Sequence, residues 1–367
     1  MQTVSVNFSK KNVPKNKFIT VEDVKIPSPK KNEILFRTLA CGICSTDIEY
    51  LINNKILKQD NKNFNGAPGK KYLGHEVVGK AVNVGKNLNK SIIGRNFVIA
   101  DINICRTFNL TPTCKYCKKK QGIHCSNKAK RKYSRDVYGG YSEYFIRSYY
   151  QSIEIKKKVS PAHAAFSEPL STAINCSNQC KISNKILIFG LGTISTLFFR
   201  VLLVKKYLKK NIFINVKNDQ QKRQAKNMGF VNIINKKDFK NLKINFDKIF
   251  YFNGKINLEE IILNYSKPLS EIIIFGHIKN IDIDPKILIK KQISLKGIHG
   301  YSSIKKKNGY ISDVENAVKY IEKKKIHLND LITQKYDLKK AEQTLTKICN
   351  DFKMGKNKTI FRSILLK

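Results

Sequence analysis

The sequence predicts an α/β chain of two domains, the first built of short irregular strands and the second a doubly wound parallel sheet. Three observations predict it. A chain of 367 residues, 41% of them hydrophobic, is longer than one ordinary core accommodates. Lys185-Ile186-Leu187-Ile188-Phe189 is a continuous apolar strand that runs straight into Gly190-Leu191-Gly192 and then an amphipathic segment. Beyond it, apolar runs alternate with amphipathic ones, the pattern of parallel strands joined by helical crossovers.

Residues 1 to 40 alternate short apolar runs with turn residues. The runs at 19–21 and 34–39 read as strands, separated by Pro27-Ser28-Pro29. Next come Cys41-Gly42-Ile43-Cys44-Ser45-Thr46-Asp47 and, further on, Gly74-His75-Glu76. A thiol, an imidazole and a carboxylate this far apart in sequence converge only if the chain between them folds back. Zinc accepts all three ligand types, and a catalytic zinc keeps one position open. Cys44, His75 and Glu76 are therefore candidate ligands. Thr46 offers a hydroxyl close by, and Asp47 a carboxylate able to hold the ring of a metal-bound histidine.

Glycine-punctuated strands follow at 77–85 and 92–99, and then Cys105, Cys114, Cys117 and Cys125. Cys114-x₂-Cys117 can grip a metal from one tight turn. Four thiolates make a closed tetrahedral site with no open position, which is structural rather than catalytic.

Together these motifs resemble the zinc-dependent medium-chain dehydrogenase/reductase family, which includes alcohol, polyol, threonine and glucose dehydrogenases. In that family the Cys of Gly-Ile-Cys-x-[Ser/Thr]-Asp and the His of Gly-His-Glu bind catalytic zinc, positions held here by Cys44 and His75. The resemblance implies a GroES-like fold for the β-rich domain. The family's structural-zinc lobe reads Cys-x₂-Cys-x₂-Cys-x₇-Cys. Here the last three cysteines keep that spacing, whereas Arg106 to Thr113 separate Cys105 from Cys114. Either a surface loop has lengthened, at little cost in closure entropy, or Cys105 is a buried strand cysteine, Thr111 stands at the strict spacing and the lobe has lost a ligand. His124 is a weaker substitute ligand.

Gly139-Gly140-Tyr141-Ser142-Glu143-Tyr144 resembles a strand of the same catalytic domain. Ser167-Glu168-Pro169-Leu170-Ser171 resembles the polyol and glucose branches, in which the Glu stands at the zinc directly or through water. Glu168 thus competes with Glu76 for the third protein ligand, or orients a water as base. The resemblance also implies that Thr46 passes the substrate's hydroxyl proton toward solvent and that Asp47 holds the ring of His75. Glu49 stands where some relatives carry a histidine, so the outer relay differs. Cys41 precedes the ligand position and is assigned to the core.

The second domain opens on the strand, glycine turn and helix. Gly190 makes the turn, Gly192 lets backbone approach a pyrophosphate, and Thr193 and Ile194 begin the helix whose positive end receives it. Ser195 replaces the third glycine and is small enough to preserve helix–strand packing. The next strand, 211–216, ends at Val216, where an acid would hold the ribose of NAD. Lys217 follows, with Lys222 and Arg223 nearby, a set that suits the 2′-phosphate of NADP. NAD and NADP both stand as cofactor expectations. Further strands read at 231–234, 248–252, 271–276 and 293–298, with an amphipathic segment at 258–265. Residues 296–301 resemble the family's return to the catalytic domain. Closing helices read at about 311–325 and 338–350, and a final strand at 358–361. The expected domains are 1–158 (GroES-like, first part), 159–299 (Rossmann) and 300–367 (return to the GroES-like domain).

Nine cysteines without signs of a secretory leader favour metal over disulfides. No run is apolar and long enough to span a membrane, so a cytoplasmic protein is expected. The net charge of +43 comes from lysines scattered in short runs, with no basic arm, and abundant Lys, Asn and Ile without Trp mark compositional bias. No specific nucleic-acid partner is expected. The expected function is hydride transfer between a secondary alcohol (a polyol, sugar or amino alcohol) and NAD(P), with two zinc ions per chain, in a homodimer or homotetramer. The rival reading is an inactive relative that binds nucleic acid or other polyanions; a complete Cys44, Thr46, His75 and Glu76 set argues against it.

Overall fold

The computed structural model describes residues 1–7, 19–52, 70–100, 102, 104–127, 138–235, 244–252, 257–276, 283–353 and 362–366. They form two compact units, one of residues 1–168 and 302–367, the other of residues 169–301.

The first unit is built mainly on antiparallel pairing, with Ile332–Asp337 running parallel to Arg362–Leu366. Its main sheet runs in the order Ile332–Asp337, Arg362–Leu366, Glu33–Gly42, Glu76–Val84, Asn96–Ile99, Ser152–Ile155, with Tyr144–Ser148 also paired to Glu33–Gly42. Glu33–Gly42 is the hub, because 76–84, 144–148 and 362–366 all bond to it antiparallel. Its residues Ile34, Phe36, Ala40 and Cys41 are fully buried. Phe36 stacks on Phe145 at 5.3 Å and meets Phe97 edge-on at 5.6 Å, because the register places Phe36 opposite Phe145. A smaller sheet orders Ile19–Asp23, Gln2–Asn7 and Lys70–Tyr72.

The second unit is a six-stranded sheet, every neighbouring pair of it parallel. The spatial order is Asn232–Ile234, Ile212–Asn215, Ile186–Phe189, Phe246–Tyr251, Ser266–Ile274, Ser294–Gly297. Numbered along the chain this is 3-2-1-4-5-6, the order of doubly wound dinucleotide-binding sheets. Ile186, Leu187, Ile188 and Phe189 are all fully buried, which explains a strand apolar at every position rather than at alternate ones. The helix Thr193–Val204 buries Leu197, Phe198, Val201 and Leu202, and Phe198 packs on Phe250 with ring centroids 4.3 Å apart.

The structure shifts the bounds of several expected elements. The strand expected at 271–276 begins at Ser266, in a polar stretch, because Ser266 pairs with Phe246 before a bulge. The closing helices span Asp313–Glu322 and Ala341–Lys353, and a strand occupies Arg362–Leu366. The strand expected at 358–361 lies outside the described residues. Among the described residues no helix is long and apolar enough to cross a membrane.

Phe36→Ala is expected to cost about 3–5 kcal/mol, read as a lower denaturant midpoint at unchanged slope. A pH-dependent test sits in the second unit. Burial raises the Asp247 carboxyl, but the Lys185 amide (2.6 Å) and the Lys267 ammonium (2.9 Å) outweigh it and hold it below the usual carboxylate range. A depressed folded-state value adds stability that is complete above the unfolded value of about 3.9 and is lost as pH falls through the folded one. Asp247→Asn is therefore expected to destabilise at pH 7 and to converge on the parent below that window. A gap that persists unchanged in acid would exclude the ionised carboxylate as its source.

Candidate active site

The pairing of Glu33–Gly42 with Glu76–Val84 sets Gly42 directly opposite Glu76. One strand ends where the other begins, so the residues just past the first end meet those just before the second start. Cys44 follows Gly42 and precedes the helix Ser45–Ile52, whose opening bond runs from the Ile48 amide to the Cys44 carbonyl. His75 and Glu76 open the second strand. The ligand atoms of Cys44, His75 and Glu76 consequently all lie within 4.8 Å of one another. Cys44 and His75 are half-buried and Glu76 is buried. No side chain fits at position 42, since a Cβ there would stand 2.2 Å from Glu76 Oε2.

Asp47 lies behind this group in the first turn of the helix, 1% exposed. Its Oδ1 is 3.6 Å from His75 Nδ1. Its Oδ2 accepts from the Cys44 amide (3.1 Å) and the Tyr141 hydroxyl (2.7 Å). Burial raises the Asp47 carboxyl, but the charge of His75 and these donors prevail and hold it low. Burial lowers the His75 imidazole, and Asp47 and Cys44 more than reverse that, raising it well above its ordinary value. A histidine whose Nδ1 faces a carboxylate is fixed in orientation and leaves Nε2 for a cation. A soft thiolate, an imidazole and a carboxylate form a donor set suited to zinc. Thr46 is half-buried in the same helix. Glu168 is half-buried in the first turn of Ser167–Ser177 and is not among the three gathered groups. Cys41 is buried inside the strand, its thiol raised by burial, Asp47 and Glu76.

Cys105, Cys114, Cys117 and Cys125 form the second group, again with all four sulfurs within 4.8 Å of one another. Cys105 and Cys125 are 3.7 Å apart at sulfur, too far for a disulfide. Backbone amides point at the sulfurs: Cys105 N–H donates to Cys117 Sγ and Cys114 N–H to Cys105 Sγ, both at 3.4 Å, and Asn127 Nδ2 donates to Cys105 Sγ at 3.2 Å. Burial raises Cys114, yet the amides of Cys117 and Ser126 bring it down to about 6, while burial pushes Cys117 and Cys125 up. Four sulfurs this close ionise together only around a cation. Thr111 and His124 are exposed and outside the group.

In the second unit, Gly190 takes φ +97° at the carboxyl end of Ile186–Phe189, a turn that a side chain would strain. The turn stands at the switch point of the sheet, where strand order reverses and such sheets bind ligands. Gly192 caps the helix Thr193–Val204, and a Cβ there would meet nothing within 4 Å, so its face is open. Ser195 bonds the Gly192 amide and carbonyl through its hydroxyl (2.8 and 3.0 Å). Thr193 is buried at the helix start and Ile194 half-buried beside it. Val216 is buried past the second strand, and Lys217, Lys222 and Arg223 are exposed.

Residues 30–157 match the family model of the alcohol dehydrogenase GroES-like domain. The L-threonine 3-dehydrogenase of Paraburkholderia phytofirmans is 26% identical over 218 residues, 59% of each chain. The D-arabitol-phosphate dehydrogenase of Enterococcus avium is 24% identical over 341 residues, 89% of each chain. Over residues 30–157, then, the chain is similar to the alcohol dehydrogenase GroES-like domain. The match spans 59% of the length of the threonine dehydrogenase relative. Among solved structures, 2R,3R-butanediol dehydrogenase from Bacillus subtilis superposes with a TM-score of 0.76 at 17% identity, covering 100% of this chain and 99% of that one. Galactitol-1-phosphate dehydrogenase from Escherichia coli gives 0.76 at 17% identity over the whole of both chains.

Sequence reasoning singled out the ligand-type residues and Asp47 behind His75, but not the parts played by Gly42, Asn127 and the Tyr141 hydroxyl. Gly42 carries no chemistry of its own, and only the strand register reveals its closeness to Glu76. Asn127 and Tyr141 act through atoms that no spacing rule singles out. Gly42→Ala is expected to displace the Glu76 carboxylate and weaken divalent-metal binding at the Cys44 group about tenfold or more, read by chelator competition. Unchanged affinity would exclude Glu76 from that site.

Proposed function

We propose that this chain is a zinc-dependent oxidoreductase that transfers hydride between a secondary alcohol and NAD or NADP. The observation that carries the reading is the meeting of Cys44, His75 and Glu76 against Asp47. Its neighbours in comparison, dehydrogenases of threonine, arabitol phosphate and butanediol, support a polyol, sugar or amino-alcohol substrate over ethanol. Glu168, in its Glu-Pro-Leu-Ser context, supports the same choice.

Cys44, His75 and Glu76 would hold the catalytic zinc, with Glu168 the alternative third ligand or a water-orienting base. Bound there, zinc supplies the Lewis acidity that makes an alcohol easier to deprotonate. Asp47 keeps the His75 ring in one orientation. Thr46 receives the substrate's hydroxyl proton and relays it toward solvent. Gly190, Gly192, Thr193 and Ile194 cradle the dinucleotide pyrophosphate at the helix start, and Val216 and Lys217 border its ribose. The nicotinamide supplies the hydride chemistry when bound. Cys105, Cys114, Cys117 and Cys125 hold a second, structural zinc. Residues 1–158 and 300–367 make the catalytic domain and 159–299 the nucleotide domain, in a homo-oligomer of the cytoplasm.

Zinc content by elemental mass spectrometry tests the reading. Two ions per chain are expected, with Cys44→Ala removing one and abolishing turnover. A folded chain whose zinc is unaffected by Cys44→Ala would overturn it.

A further inference from the structure

Tyr141 is singled out by the sequence only as part of a Gly-Gly-Tyr strand motif, and the reaction described above assigns it nothing. It is 1% exposed, as is Asp47. Its backbone is tied to the segment that leads into His75. The Tyr141 amide bonds the Leu73 carbonyl at 3.3 Å, and the neighbouring Gly140 amide bonds the Gly74 carbonyl at 2.7 Å. Gly74 takes φ +93°, and a Cβ on it would stand 2.8 Å from Tyr141 Cδ1, so ring and segment are in direct contact. The Tyr141 side chain reaches the other segment. Its hydroxyl donates to Asp47 Oδ2 at 2.7 Å and lies 3.3 Å from the Gly42 carbonyl.

We propose that Tyr141 is a positioning residue that locks the Cys44-bearing and His75-bearing segments together, and that its hydroxyl sets the Asp47 carboxylate to face His75. The geometry gives it that leverage. With the Tyr141 hydroxyl and the Cys44 amide both on Oδ2, Oδ1 is the oxygen left for His75 Nδ1. Without the hydroxyl, a single amide holds Oδ2 and the carboxylate is free to rotate in a buried site. The role rests on the metal-centre reading above, since it acts on the orientation of a ligand.

The test is Tyr141→Phe in the full chain, stripped of metal and titrated with zinc or cobalt(II) alone. The expected result is a loss of affinity at the Cys44 group of about 10–100-fold, the usual scale for removing a ligand's support. The four-cysteine group should keep its affinity, and the visible cobalt bands of the Cys44 group should shift. Asp47→Asn is the second arm, because Tyr141 acts through that carboxylate: adding Tyr141→Phe to Asp47→Asn should change affinity less than about twofold, the non-additivity of a coupled pair. This arm stands even where Tyr141→Phe alone fails to fold, since the double variant removes the buried charge together with its donor. A parent-like affinity and spectrum in Tyr141→Phe would overturn the proposal. So would a further tenfold loss in the double variant, which would mean that the ring acts through packing. A parent chain with no metal that Cys44→Ala removes would sink the metal-centre reading and this role with it, whatever Tyr141→Phe does.

Discussion

The antiparallel register between Glu33–Gly42 and Glu76–Val84 is the constraint on which the rest of the first unit depends. Side chains alternate along a strand, so a slip of one residue would turn every one of them to the other face. In the register observed, Cys41 faces the core and packs among fully buried residues, which is why the first thiol of Cys41-x₂-Cys44 stays out of the gathered group. Two register shifts, between Leu35 and Phe36 and between Thr38 and Ala40, adjust the pairing before it reaches Gly42. The absence of a side chain at Gly42 then leaves space for the Glu76 carboxylate. On its other side Gly42 pairs with Ile364, so this strand end is interior to the sheet and not free to fray.

The two cysteine-containing groups solve different electrostatic problems. At Cys44, one buried carboxylate and one histidine face each other, with an amide and a phenol completing the carboxylate's hydrogen bonds. Such an arrangement is stable only while every partner is in place, because removing one leaves a buried charge uncompensated. At the four-cysteine group, amides and the Asn127 side chain favour the ionised form of some sulfurs, while burial holds the protons on Cys117 and Cys125. The segment that carries it is tied to the chain around it, Asn109 accepting from Asn32 at 2.8 Å and Arg106 lying over the Tyr150 ring.

Legibility in the sequence followed the range of the interaction. The parallel sheet was readable because its first strand, Ile186–Phe189, is apolar without interruption and its glycine turn is local. Cys44, His75 and the cysteine spacing were readable because ligand chemistry restricts residue type. The edges of elements were not. Ser266 joins a strand because of Phe246 across the sheet, and no local pattern marks it. The small sheet formed by Gln2–Asn7 and Lys70–Tyr72 pairs segments distant in sequence with little alternation to announce it. Tyr141 was visible as a motif residue, yet its hydroxyl's destination depends on three segments meeting, which spacing alone does not encode.

The high charge finds a place in the same physical picture. With 70 Lys and Arg against 27 Asp and Glu, most basic groups have no acid to pair with, so ion pairs cannot be what holds the fold. Exposed pairs such as Arg95–Glu154 and Lys120–Glu315 contribute about 0–1 kcal/mol each. Stability falls to buried apolar strands and backbone pairing, against a self-repulsion that added salt relieves. The same field raises the local concentration of anions. A dinucleotide is an anion, and so is a phosphorylated polyol of the kind named for two of the similar dehydrogenases. A positive surface therefore favours encounter with small anions in general.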